Sequence, residues 1–253
     1  MKQSSNRWIF FFTVALFALA ITMVMPFLWM LSTSLKFEAD VFAFPIQWIP
    51  KKWNFTNYTN VLTKSFNFPL YYFNSVKVAI LTTILQVTIS AMAAYAFAKI
   101  NFRFSKQIFL IYLATLMIPN DLTLVPKLVM MYNFGWYNQY LALTIPFMAS
   151  VFGIFLLRQF FMQIPKELYD AALIDGAGHI RYLVTIVLPL AKPAVITVAL
   201  LNFIWSWDSF KWPLLVTRDS NMRVLAVGLQ QFLASEGGTR THLMMAFASM
   251  VVV

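Results

Sequence analysis

The chain has 253 residues, of which 60% are hydrophobic and 11% charged, with 26 Phe, no Cys and a formal net charge of +10. An apolar share above the roughly 45–50% of soluble domains excludes a water-soluble packing of this length. The basic residues are scattered and never run beyond Lys51-Lys52, which argues against a phosphate-binding stripe for nucleic acid, and the lack of Cys removes disulfides and thiolate metal sites.

A bilayer core about 30 Å thick takes about 20 apolar helical residues, so long uncharged stretches locate the predicted spans. No charge lies between Arg7 and Lys36, which predicts a first span over 8–32. Lys2, Arg7 and the small-x-small triplet Ala18-Leu19-Ala20 imitate a signal peptide, yet the apolar run continues through Leu31, beyond a signal's length, so an uncleaved span fits better. Residues 36–69 form a long outer segment, to which Pro45, Trp48, Pro50 and Trp53 give an ordered, interfacial character. Further spans are predicted over 73–97, 107–130 and 140–161, the last two separated by an interfacial turn at 133–139. A polar segment, 162–182, precedes a fifth span over 183–207, with Pro189, Lys192 and Pro193 at its start. A sixth opens at Thr241. Its residues to Val253 offer only about 20 Å of helix and lack a flanking charge, so the native chain is expected to continue past Val253. The fold class is therefore all-α, a single polytopic membrane domain of about six transmembrane helices. Lys2, Arg7, Lys99, Arg103, Lys106, Arg158, Lys166 and Arg181 crowd short segments on one side of these spans, which predicts a cytoplasmic N-terminus and a cytoplasmic 162–182 loop.

That loop carries the most specific pattern. Pro165 suits the first position of a helix, and Glu167 follows it against the positive helix end. Leu168, Ala171 and Ala172 recur at helical spacing as a small apolar stripe, and Gly176 and Gly178 offer the left-handed backbone that ends a helix. Taken alone, these features also describe an amphipathic connector at the bilayer surface. The register is more telling: Asp170-Ala171-Ala172, then Gly176, then Ile186-x-Leu188-Pro189. It closely resembles the cytoplasmic loop of ABC-importer permeases, Glu-Ala-Ala-x3-Gly-x9-Ile-x-Leu-Pro, which docks on the ATPase subunit.

The resemblance extends over nearly the whole chain and is to the carbohydrate-uptake, maltose-permease branch. Phe155 to Phe161 and Ile164 to Leu168 are similar to its approach to the loop, and Asn74-Ser75 and Ala93 to Ala98 to its second span. Pro26 to Lys36 and Trp53 to Tyr58 resemble the end of its first span and the outer segment after it, and Leu188 to Ala194 and Trp207 to Pro213 continue the match. Two positions depart: Asp170 stands for the usual Glu, and Trp207-Asp208-Ser209-Phe210 moves an acid by one residue from the usual Trp-Asn-Asp/Glu-Phe.

The resemblance implies the ABC-importer permease fold, and the permease subunit of an ATP-driven, binding-protein-dependent sugar importer, half of a translocation pathway with no catalytic site of its own. It implies ATPase coupling through Glu167, Asp170, Ala171, Ala172, Asp175, Gly176, Ala177, Ile186, Leu188 and Pro189. The implied partners are a second, homologous permease in a heterodimer, two ATPase subunits, an extracytoplasmic solute-binding protein and the lipid bilayer, with no nucleic acid. The implied location is the bacterial cytoplasmic membrane. No cofactor is expected on this chain, since ATP and Mg would be used by the partner ATPase and no G-x4-G-K-[ST] phosphate loop occurs.

Asn202, Trp205, Ser206 and Asp208 cluster in the fifth span, where amide, hydroxyl and aromatic groups suit either a sugar route or an ordinary aromatic belt. Asp121 and Lys127 sit by Pro119 and Pro126 near the third span, as headgroup anchors or as part of a gate. His179 and His242 are far apart in topology, so no metal site is expected. Two alternatives remain at this level: an ion-coupled secondary transporter, which needs ionisable groups at mid-depth, and a multi-span membrane enzyme, which needs a nucleophile or acid–base pair.

Overall fold

The computed structural model describes residues 2–65, 67–235 and 240–252. Val253, where the sixth predicted span ends, and residues 236–239, between the fifth and sixth predicted spans, lie outside these, as do the side chains of Lys2, Arg7 and Lys64. The described residues form helices without strands. In chain order the α-helices are α1 (Lys2–Ser34), α2 (Thr56–Asn60), α3 (Phe68–Lys99), α4 (Ser105–Ala114), α5 (Leu124–Asn133), α6 (Tyr140–Thr144) and α7 (Val151–Gln163). They continue with α8 (Glu167–Ile174), α9 (His179–Tyr182), α10 (Leu188–Leu190), α11 (Lys192–Trp207), α12 (Lys211–Val216), α13 (Leu225–Ser235) and α14 (Thr241–Val252).

Two of these helices are long and apolar enough to cross a membrane, over Trp8–Ser34 and Phe68–Lys99. The expected spans 107–130, 140–161 and 183–207 each take a bent course. Ser105–Met117 and Asn120–Asn133 meet at 95°, Tyr140–Phe147 and Val151–Gln163 at 45°, and His179–Leu190 and Lys192–Trp207 at 85°. Proline explains the sharper two. Ile118, ahead of Pro119, is extended with ψ 115, as the residue before a proline is forced to be. At the other bend the ring of Pro193 would collide with the carbonyl of Pro189 in a continuous helix, and the chain breaks at Ala191 between them. Hydropathy reports how apolar a segment is and nothing of its direction, so these bends are silent in the composition of the spans.

The chain divides into two compact units, Met1–Pro69 with Gly228–Val253, and Leu70–Val227. In the first, α1 and α14 pack together. The turn after α1 is closed by the segment that follows it: Asn57 Nδ2 donates to the carbonyls of Ser34 and Lys36, both at 2.8 Å, and Tyr58 Oη lies 2.8 Å from Ser34 Oγ and 3.0 Å from Ser249 Oγ on α14. Lys36 is buried over the ring of Trp29, 4.1 Å from its centroid. Burial lowers its pKa, with Asp40 acting against that shift.

In the second unit, the core at one end joins α3, α4, α7, α8, α9 and α11 through Ala91, Tyr95, Phe109, Leu157, Phe161, Ala172, Tyr182 and Val198. A second cluster, around Val78, Met131, Leu143, Trp212 and Val216, packs α3, α5, α6 and α12 together. The predicted interfacial turn at 133–139 is tight, with positive φ at Gly135 and Asn138, and Asn138 Oδ1 accepts from the backbone N–H of Arg218 and Asp219.

Candidate functional site

The loop after α7 ends in a well-formed helix and a sharp stop. The helix α8 starts at Glu167 with Lys166 as its N-cap, so Pro165 lies just outside the helix and not at its first position. Glu167 and Asp170 both fall in the first turn, where carboxylates complement the helix dipole. At the other end Gly176 has φ 75, its N–H donates to Leu173 O at 3.0 Å, and the N–H of Ala177 reaches back to Ala172 O at 2.8 Å. These two bonds are the Schellman closure, and its usual apolar contact is made by Ala172 with Ala177, both buried in the core. Gly178 does not share the left-handed role. It is extended, with φ −74 and ψ 170, and serves as the N-cap of α9.

The expected stripe of Leu168, Ala171 and Ala172 divides between two faces. Ala172 is buried, whereas Leu168 and Ala171 are exposed together with Glu167, Asp170, Leu173 and Asp175, and Ile174 is 88% exposed. A helix anchored by one alanine thus turns an apolar and acidic outer face to its surroundings. Ile186 and Leu188 are half-buried against the same core, and Pro189 is exposed at the start of the 85° bend.

Aromatic and basic side chains that the sequence left unassigned tie this loop to the ends of α3 and α7. Tyr95 Oη lies 2.9 Å from His179 Nδ1, and the rings of Tyr169 and His179 stack with centroids 5.6 Å apart. Tyr182 meets Tyr169 edge-on at 5.1 Å. Lys99 Nζ donates to Ile164 O at 2.7 Å, satisfying a carbonyl just past α7, and Arg158 Nε donates to Phe97 O at 3.3 Å. No motif spacing signals these pairs, because α3 and the loop are distant in sequence.

The same unit holds two adjoining, half-open cavities of about 490 Å³ each. Asn202, Trp205 and Lys127 line the first, with Gln86, Ser150 and Gly153. The second shares Lys127 and Trp205 and adds Asp121, Asp208 and Lys211. Of the residues expected to share a route, Ser206 stands apart, on a pocket of only about 10 Å³. Asp121 does not pair with Lys127 but with Lys211, at 3.0 Å, both side chains being well exposed. Lys127 instead sits half-buried inside the unit, 5.5 Å from the Phe147 ring centroid.

Residues 86–253 match the family model described as the inner membrane component of binding-protein-dependent transport systems. The chain is 34% identical over 205 residues to the sn-glycerol-3-phosphate transport system permease protein UgpE of Yersinia enterocolitica, covering 79% of this chain and 73% of that one. It is 34% identical over 219 residues to the diacetylchitobiose uptake system permease protein NgcG of Streptomyces coelicolor, covering 86% and 72%. With the trehalose/maltose transport system permease protein MalG of Thermococcus litoralis it shares 36% over 223 residues, 87% and 79% of the two chains. Its fold is similar to a chain in the crystal structure of a bacterial ABC transporter involved in the import of the acidic polysaccharide alginate, with a TM-score of 0.86, 23% identity and coverage of 100% and 92%. The motif register, the helical membrane fold and these matches lead to one conclusion: the chain belongs to the family of inner membrane components of binding-protein-dependent transport systems.

Proposed function

We propose that this permease forms half of the membrane route of an ATP-driven importer of carbohydrates and similar hydroxyl-rich solutes, and that α8 is where the ATPase subunit docks. The observation that carries the docking role is the outer face of α8. Its Schellman stop is locked into the core by Ala172 and Ala177, while Asp170, Leu173 and Ile174 are left exposed beside it. The solute class is supported by relatives whose names refer to diacetylchitobiose, trehalose, maltose and sn-glycerol-3-phosphate, and by amide and indole side chains on the cavities.

Two ATPase subunits, a second permease of the same family and an extracytoplasmic binding protein complete the machine, with the N-terminus and α8 on the cytoplasmic side. The chain itself binds no nucleotide, and the ATPases use the ATP and Mg. ATP-driven closure of the ATPases moves α8, and the tyrosine and histidine contacts with Tyr95 carry that movement to α3, so the route alternates its access by rigid-body motion.

The test is reconstitution. The permease alone in vesicles is expected to accumulate no saccharide under an ion gradient or with internal ATP, whereas the assembly with its ATPases, second permease and binding protein does. Gradient-driven uptake by the lone chain would replace this reading with an ion-coupled carrier.

A further inference from the structure

The inward face of α3 holds more polarity than the protein satisfies. Thr82, Gln86 and Ser90 stand at i, i+4 and i+8 and so share one face of the helix. All three are buried, and Thr82 Oγ1, Gln86 Oε1 and Ser90 Oγ have no hydrogen-bond partner among the described residues. A buried acceptor left unmade is worse for stability than an apolar atom in its place, so a polar side chain here calls for a use other than folding.

Gln86 differs from the other two because it also lines the first cavity, together with Asn202, Lys127 and Trp205. Asn202 is itself buried and spends one amide hydrogen on a long contact to Thr83 Oγ1, at 3.3 Å, leaving its carbonyl oxygen without a hydrogen bond among the described residues. Among the described residues Lys127 makes no ion pair or hydrogen bond either, only the distant contact with Phe147. Two amides, an ammonium and an indole therefore border one space of about 490 Å³, which lies in the lower part of the range for small-molecule sites, about 300–1,000 Å³.

We infer that Gln86, Asn202, Lys127 and Trp205 form a solute subsite within this chain, which takes one polyhydroxylated ring in transit. This rests on the carbohydrate-importer reading above and adds a place where this permease holds the solute itself. Ring hydroxyls meet the two amides and the ammonium, and the apolar C–H face of the ring lies against Trp205. An apolar solute would leave Gln86 and Lys127 desolvated without partners, and a cation would be repelled by Lys127.

The experiment uses the assembled transporter, arrested with vanadate in nanodiscs, and measures retention of radiolabelled trehalose, maltose and diacetylchitobiose. Gln86→Met keeps the side-chain volume and removes only the amide, and Lys127→Met removes only the charge. Each is expected to retain roughly fivefold less solute, the equivalent of one hydrogen bond, with Gln86→Met melting no lower than wild type. Thr82→Val, in the same row but off the cavity, is the control and is expected to retain solute as wild type does. Wild-type retention by both Met variants, or an equal loss in Thr82→Val, overturns the subsite. A wild-type assembly that neither retains nor imports any of the three saccharides overturns the carbohydrate reading and the subsite with it.

Discussion

Two glycines in the second unit are required for opposite reasons. At Gly176 an added Cβ would meet nothing within 4 Å, so the whole demand is the positive φ of 75. Gly176→Val is expected to cost about 1–2 kcal/mol in the left-handed region, local to the end of α8, because the spans satisfy their own backbone hydrogen bonds. The protein should still insert and accumulate, while co-purification of the ATPase or the ratio of uptake to hydrolysis falls. Gly176→Asn, which tolerates this region, should lose less. Unchanged co-purification and coupling in Gly176→Val would reduce α8 to a connector. Gly153 has no such φ, but its Cβ would lie 3.1 Å from Ser90 Oγ and 3.2 Å from Val198 Cγ1. It lets α7 approach α3 and α11 closely. Gly153→Leu should destabilise by at least about 1–3 kcal/mol through overpacking, read as a lower melting temperature and lower abundance. Gly176 is legible from its motif register. Gly153 is not, since a lone glycine in an apolar run carries no periodic signal.

At the scale of elements, the prolines break what hydropathy joins. The bend at Ile118-Pro119 turns the following segment through 95°, which brings Asp121 within ion-pair distance of Lys211 instead of Lys127. Because both side chains of that pair are exposed, Asp121→Asn should change stability by no more than about 1 kcal/mol, measured as a melting shift of the purified permease. A larger loss would mean that the pair is desolvated in the purified permease. The link between α3 and the α8–α9 loop offers a cleaner measurement. Tyr95→Phe and His179→Ala remove the two partners of one 2.9 Å contact, so their effects on the uptake-to-hydrolysis ratio should be strongly non-additive. Strict additivity would show that the contact transmits nothing. The prolines that cause the bends are visible in the sequence, but the bend angle depends on which packed neighbours receive the two halves.

For the whole molecule, the decisive quantity is apolar surface with no partner inside the chain. The most apolar window of Trp8–Ser34 is 0% buried, and Phe10, Phe17 and Met23 all lie open along α1. Such a helix is covered by lipid or by another subunit, and an arginine at its centre should be expelled. Ile21→Arg is expected to oppose insertion by about 2.5–3.5 kcal/mol, read in a glycosylation-mapping insertion assay, and normal insertion would place α1 outside the bilayer. Composition alone determined the solvent of this protein, because 60% hydrophobic residues cannot be hidden in 253. The positions of its apolar segments and the helix stop at Gly176 were equally legible, since these are local: they depend on spacing along the chain and on what a proline or glycine does to its own backbone. Only the tertiary structure decided which face of α8 is anchored, that Lys127 borders a cavity while Asp121 pairs with Lys211, and that Gln86 on α3 lines one cavity with Asn202 and Trp205 on α11. Those facts join residues far apart in sequence through bent helices, and no local spacing encodes where a bent helix comes to rest.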